Sequence, residues 1–197
     1  MTGMKRAIAR EDIIDIDRYG RERAERRKRL SEVKRTRRLE VGPFATFYFE
    51  SFETMLQQIH EMLHIEKGGE AQVADELAAY NPLIPSGSEL VATVMFEIDD
   101  PVRRASALAR LGGVEETATV KIGGEVATGA PEADVDRTTA AGKASAVQFI
   151  HFPFSKAAIA AFREPGAQVI VGFDHPHYAH MAVMPEAVRA ALAEDFD

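Results

Sequence analysis

The run "T-A-T-V-K-I-G-G-E-V-A-T-G", Thr117 to Gly129, places two short alternating segments around a Gly123-Gly124 pair. Paired glycines supply the positive backbone angles that a tight hairpin turn needs. A hairpin joins antiparallel neighbours, so the chain cannot fold as a purely parallel sheet. The other segments alternate between helical and strand patterns. Together they predict an α+β fold with a mostly antiparallel sheet, helices packed on one side of it, and a long basic N-terminal helix.

Residues from Glu11 to about Arg38 read as that helix, with sparse apolar positions and an interruption at Gly20. Gly42-Pro43 breaks the chain. "F-A-T-F-Y-F-E-S-F", from Phe44 to Phe52, is aromatic and predicts a strand. Met55, Leu56, Ile59, Met62 and Leu63 recur at helical spacing from Glu53 to Glu66, and Gly68-Gly69 ends that helix. A second helix is predicted from Glu70 to Tyr80, before Asn81-Pro82. Further strands are expected over Glu89 to Ile98 and Ser145 to Phe154, with a helix from Pro101 to about Leu111 between them. Ser155 caps a short helix, and Ala130 to Gly142 reads as a polar loop. "A-Q-V-I-V-G-F-D-H-P-H-Y" is a strand entering a His-rich loop, and Pro185 opens a last helix.

The 197 residues suit a basic helical arm over residues 1–40 and an α+β domain over 41–197. No cysteine is present, so a disulfide, a thiol nucleophile and cysteine-bound metal are excluded. Charge is unevenly distributed. Eleven Lys/Arg stand against three Asp/Glu from Arg18 to Arg38, a local charge of +8 in a chain of net charge −7. No apolar stretch approaches a membrane span, and the first residues lack a secretory core, so a cytoplasmic location is expected.

His60-Glu61-x-x-His64 has the spacing of a zinc hydrolase helix, where two imidazoles bind the metal and the carboxylate polarises its water. With Ile59 centred on the apolar face, His60 and His64 fall roughly 100° and 140° away, at the polar side. Such a stripe is either solvated or covered by a further layer. The same projection puts Glu66 about 20° from the apolar centre, where a carboxylate must be paired, protonated or metal-bound unless the helix frays. Glu76 lies at the edge of the next helix's apolar face. Glu97 follows Val91, Thr93 and Met95 on one strand face, Glu50 ends the aromatic strand, and His151 sits among aromatics. Asp174, His175, His177, Tyr178 and His180 gather at a strand end. Carboxylates with imidazoles form the ligand set of zinc, manganese or non-haem iron.

The blocks "R-R-L-E-V-G-P", "F-E-S-F-E-T-M-L-Q-Q-I-H-E-M-L-H-I-E", "D-E-L-A-A-Y-N-P-L-I-P", "L-V-A-T-V-M-F-E-I", "K-A-S-A-V-Q-F-I-H-F" and "D-H-P-H-Y" resemble, in order, a bacterial family catalogued as domain of unknown function 3501. The family carries no established activity. The resemblance implies encoding beside rubrerythrin and an iron–sulfur oxidoreductase, hence a redox or oxidative-stress setting. It also implies that Glu61, Glu66, Glu76, Asn81, Glu97, His175 and Tyr178 match the family pattern. His60 and His64 replace an expected Gln and Arg, and Gln148 stands where a strand His is expected.

The resulting expectation is a metal-binding protein. Glu66, Glu76, Glu97 and His175 would hold a divalent iron, manganese or zinc ion, with Tyr178 orienting a ligand. One alternative is a non-catalytic protein docking rubrerythrin-type or iron–sulfur redox partners through the basic helix. The other is a zinc-dependent hydrolase in which His60 and His64 hold the metal and Glu61 acts on water. Neither nucleic-acid nor membrane binding is expected, no nucleotide or iron–sulfur cluster is indicated, and homo-oligomerisation is left open.

Overall fold

A computed structural model describes residues 5–132 and 143–197. After a short 3-10 turn at Arg10–Asp12 the elements are α1 (Ile16–Arg35), β1 (Arg38–Val41), β2 (Ala45–Phe49), α2 (Phe52–Glu66), α3 (Glu70–Tyr80), β3 (Glu89–Phe96) and α4 (Pro101–Leu108). They continue with β4 (Ala118–Ile122), β5 (Glu125–Thr128), β6 (Ala130–Pro131), β7 (Val147–Pro153), α5 (Lys156–Arg163), β8 (Val169–His175), β9 (Tyr178–Val183) and α6 (Glu186–Ala193). The α+β class is the one expected. The strands form two antiparallel sheets, ordered β1-β2-β3-β7-β6 and β5-β4-β8-β9.

The first sheet is covered on both faces. Phe47 and Phe49 of β2, Leu90, Ala92 and Val94 of β3, and Ile150 and Phe152 of β7 share a core with Val120, Val171 and Phe173 of the second sheet. The other face turns to the helices, where Val91 of β3 packs with Met55, Ile59 and Leu63 of α2 and Val73 of α3. This explains why β3 reads as nearly continuous apolar sequence: a strand buried on both sides has no solvent face to keep polar.

Several boundaries differ from the sequence expectation. The basic helix stops at Arg35, and Arg38–Val41 pairs with β2 as an edge strand, so position 40 falls inside a sheet. The segment before α1 also joins the molecule, with Ile8 and Ile13 in the core beneath α2 and α3. The His-rich loop is a hairpin: His175 pairs with Tyr178, and β9 runs on to Val183. Tertiary pairing overrides the weak strand propensity of "Y-A-H-M-A-V". The expected polar loop from Ala130 begins instead with the short β6, and the rest of it lies largely outside the described residues. Among the described residues, no helix is long and apolar enough to cross a membrane.

Tyr178 joins the two sheets. Its buried hydroxyl donates to Val41 O at 2.7 Å and accepts from the main-chain N–H of Ala45 at 3.0 Å and Phe44 at 3.2 Å. It thereby satisfies the backbone groups of the β1–β2 turn. Gly42 in that turn has φ +72°, and a Cβ there would lie 2.8 Å from the Tyr178 Oη and 2.6 Å from the His180 ring. Tyr178→Phe removes all three hydrogen bonds while keeping the ring. Urea unfolding should show a stability loss of about 1–3 kcal/mol, and an unchanged midpoint would show that the hydroxyl does not hold the turn.

Candidate functional site

Helix α2 begins at a cap in which the Ser51 hydroxyl accepts from Thr54 N and the Thr54 hydroxyl accepts from Ser51 N. Its inner side buries Met55, Ile59 and Leu63 against the first sheet. Its opposite side is covered by α1, so the His60–His64 stripe is not solvated. Tyr19 of α1 stacks on the His60 ring with centroids 5.0 Å apart. Gly20 lets the chain come close to His64; a Cβ there would meet its ring at 3.2 Å.

This covered face holds no metal-like arrangement. His60 Nε2 accepts from Ile14 N at 3.1 Å, and the ring also bonds the Leu56 carbonyl. Both ring nitrogens are thereby used. Glu61 receives Arg23 Nη2 on one oxygen at 2.7 Å and Nε on the other at 3.0 Å, together with the Tyr19 hydroxyl. His64 stands edge-on to Tyr19 with ring centroids 5.7 Å apart. The zinc-hydrolase spacing therefore serves as the seam between α1 and α2.

The expected Glu66, Glu76, Glu97 and His175 set does not meet at one point. Glu66 is exposed at the last turn of α2, beyond the core its angular position suggested. Gln72 Nε2 bridges it to Glu76, donating to each at 2.7 Å. Glu97 accepts from the Thr46 hydroxyl at 2.6 Å and the Tyr48 hydroxyl at 3.0 Å. His175 belongs to the other sheet, where Nε2 faces Gly112 O at 3.2 Å and Nδ1 accepts from His177 N at 3.2 Å. Among the described residues no group of three or more His, Asp or Glu is placed to hold a metal ion. These donors do not fit an iron, manganese or zinc centre. Asn81 has a structural part as well, exchanging hydrogen bonds with Ile8 N and Ile8 O. Gln148 is buried on the sandwich face and donates to Ser145 O.

What the structure does assemble is a groove between α1, α2 and the edge of the first sheet. It has a volume of about 360 Å³. Arg27, Lys34 and Arg35 of α1 and Arg38 of β1 line it, facing Tyr48, Gln57, Gln58 and Glu61. Strand register explains the placement of Arg38, which lies opposite Tyr48, itself opposite Thr93. Most other cations of α1 are occupied: Arg23 by Glu61, Arg18 and Arg26 by Glu22, and Arg29 by Glu53. In the groove only Arg35 is paired, with Glu32 at 3.0 Å. Arg27, Lys34 and Arg38 make neither an ion pair nor a side-chain hydrogen bond among the described residues. Sequence alone marks these residues as basic but gives no sign that they share a concavity.

The seam has a definite acid response. Burial, then the nearby Arg26, lowers the His60 pKa from 6.5 to about 4. Arg23 foremost, with Tyr19, lowers Glu61 from 4.5 to about 2. Both groups bind protons more readily in the unfolded chain. Their stabilisation is therefore complete above the unfolded pKa and is lost as pH falls toward the folded value. Between pH 6.5 and 4.5 the His60 contribution changes first. Stability against urea should be lower at pH 5 than at pH 7 by about 1–2 kcal/mol from this group. His60→Gln, whose amide can serve both backbone partners, should flatten that slope; an unaltered slope would rule His60 out as its source.

The fold and the sequence have relatives. A crystal structure described as a novel protein of unknown function from Burkholderia pseudomallei superposes with a TM-score of 0.90 at 36% identity, covering 97% of this chain and 100% of that one. No curated protein matches. The family model described as protein of unknown function (DUF3501) matches residues 7–196. The chain therefore belongs to the DUF3501 family.

Proposed function

We propose that this chain is a binding protein for a small anionic molecule, taken up in the groove between α1 and α2. The observation that carries this reading is the set of three cations, Arg27, Lys34 and Arg38, that line one concavity without an ion-pair partner among the described residues. Like charges held side by side repel, and an anion between them relieves that repulsion. Tyr48, Gln57 and Gln58 add hydrogen-bonding groups along the same wall. Glu61 is the one carboxylate lining the groove; Arg23 pairs with it, and Arg27 acts on it at longer range. A concave site of this size suits a small molecule better than a flat acidic protein surface. The redox partners expected from the family resemblance, and a metal-dependent role, draw no support from the donor geometry.

Titration calorimetry with inorganic pyrophosphate tests the reading. Binding should weaken as salt rises. It should fall at least tenfold in a variant carrying Arg27→Gln, Lys34→Gln and Arg38→Gln. A control with Arg21→Gln and Lys28→Gln, exposed cations outside the groove, should keep most of the affinity. Equal loss in both variants would reduce the effect to overall charge and end the proposal.

A further inference from the structure

The groove continues inward to a smaller cavity that an anion site does not explain. This cavity, about 250 Å³, lies between the helix-facing side of the first sheet and α2 and α3. Lys34, Tyr48, Thr54 and Gln58 line both spaces, so a single ligand can extend from one into the other.

Glu50 lines the inner cavity. It is only 7% exposed. The Thr93 hydroxyl donates to one carboxylate oxygen and the Thr54 hydroxyl to the other, each at 2.6 Å. No Lys, Arg or His forms an ion pair with it among the described residues. Arg37, whose guanidinium reaches the Glu50 main chain, is committed elsewhere: it donates to Phe49 O at 3.0 Å and Glu50 O at 2.8 Å, and pairs with Asp195. An ionised carboxylate offers about four acceptor positions, and two are filled here. The N-terminus of α2 supplies partial positive charge nearby, but a buried carboxylate ordinarily needs a full counter-charge.

The surrounding walls suit an organic cation. Tyr48, Tyr80 and Phe149 line the cavity together with Met55 and Met95, and aromatic faces attract ammonium groups. The carboxylates singled out from the sequence stand behind these tyrosines. Glu97 accepts the Tyr48 hydroxyl. Glu76 and Glu66 act on Tyr80, whose pKa is raised by burial first and by these two charges after it. Glu50 is the one carboxylate lining the inner cavity, and Lys34 lines both this cavity and the cationic outer groove.

We infer that the inner cavity receives an organic ammonium group on Glu50 while the anionic end of the same molecule lies against Lys34 and Arg38. The ligand class is a small zwitterion, such as an aminoalkyl phosphate or an amino acid. This inference rests on the groove reading above for the anionic end.

Titration calorimetry on the full chain with 3-aminopropyl phosphate, propyl phosphate and propylamine tests it. Unmodified protein should bind the aminoalkyl phosphate at least tenfold more tightly than propyl phosphate. Glu50→Gln should abolish that preference and leave propyl phosphate binding unchanged. Equal affinity of the unmodified protein for both phosphates would overturn the ammonium site and leave the groove intact. Propylamine binding that depends on Glu50, with no binding of propyl phosphate, would do the reverse. Failure of all three probes to bind would end both readings. The comparison among probes uses unmodified protein, so misfolding of the variant would not remove the test.

Discussion

Strand β3 is buried on both faces, and the rest of the architecture follows from that. Leu90, Ala92, Val94 and Phe96 require a partner sheet, whereas Val91 requires helices. A second antiparallel sheet meets the first demand and the α2–α3 layer meets the second. The hydrophobic term drives both, and neither layer alone covers the strand. Polar residues buried on the helix-facing side must then find partners within the molecule, and Thr93 does so by donating to Glu50.

Helix α1 serves two ends at once. One side locks onto α2 through Tyr19, Arg23 and the Glu61 carboxylate, while Arg27 and Lys34 face the groove. A bidentate guanidinium holds Glu61 in the seam, and Arg27 also acts on its charge. Lys34 and Arg38 carry the groove's remaining unpaired positive charge among the described residues. The buried Arg37–Asp195 pair anchors the far end of this arrangement by tying the end of β2 to the C-terminal segment. Burial raises the Asp195 pKa even with Arg37 beside it. Such a pair is costly to break from one side more than it is a net source of stability.

Much of the local structure was legible in the residues. The Gly123-Gly124 turn, the α3 limits at Glu70 and Tyr80, and the Ser155 cap of α5 appear where spacing and turn chemistry place them. The two missed strands share one cause. Strands β1 and β9 are short and polar on their exposed sides, and pairing with a neighbour decides them. Glu66 is exposed because the core ends before the last turn of α2, and a helical projection gives an angle but not that depth. Glu50 gave only a weak signal, a carboxylate closing an aromatic run, since its importance depends on Thr93 from a strand more than forty positions away.

The amino-acid sequence by itself determined the α+β class, the antiparallel pairing and the concentration of cations in the first helix. These properties reside in local propensity, period and composition, which need no knowledge of distant partners. Tertiary structure alone decided that His60, Glu61 and His64 form a seam, that Tyr178 pins a turn, and that Glu66, Glu76, Glu97 and His175 stay apart. It also decided that Arg27, Lys34 and Arg38 border one groove and that Glu50 lines the cavity beside it. The physical reason is that burial, hydrogen-bond satisfaction and the field at a charged group depend on what packs across from it. That partner comes from another part of the chain.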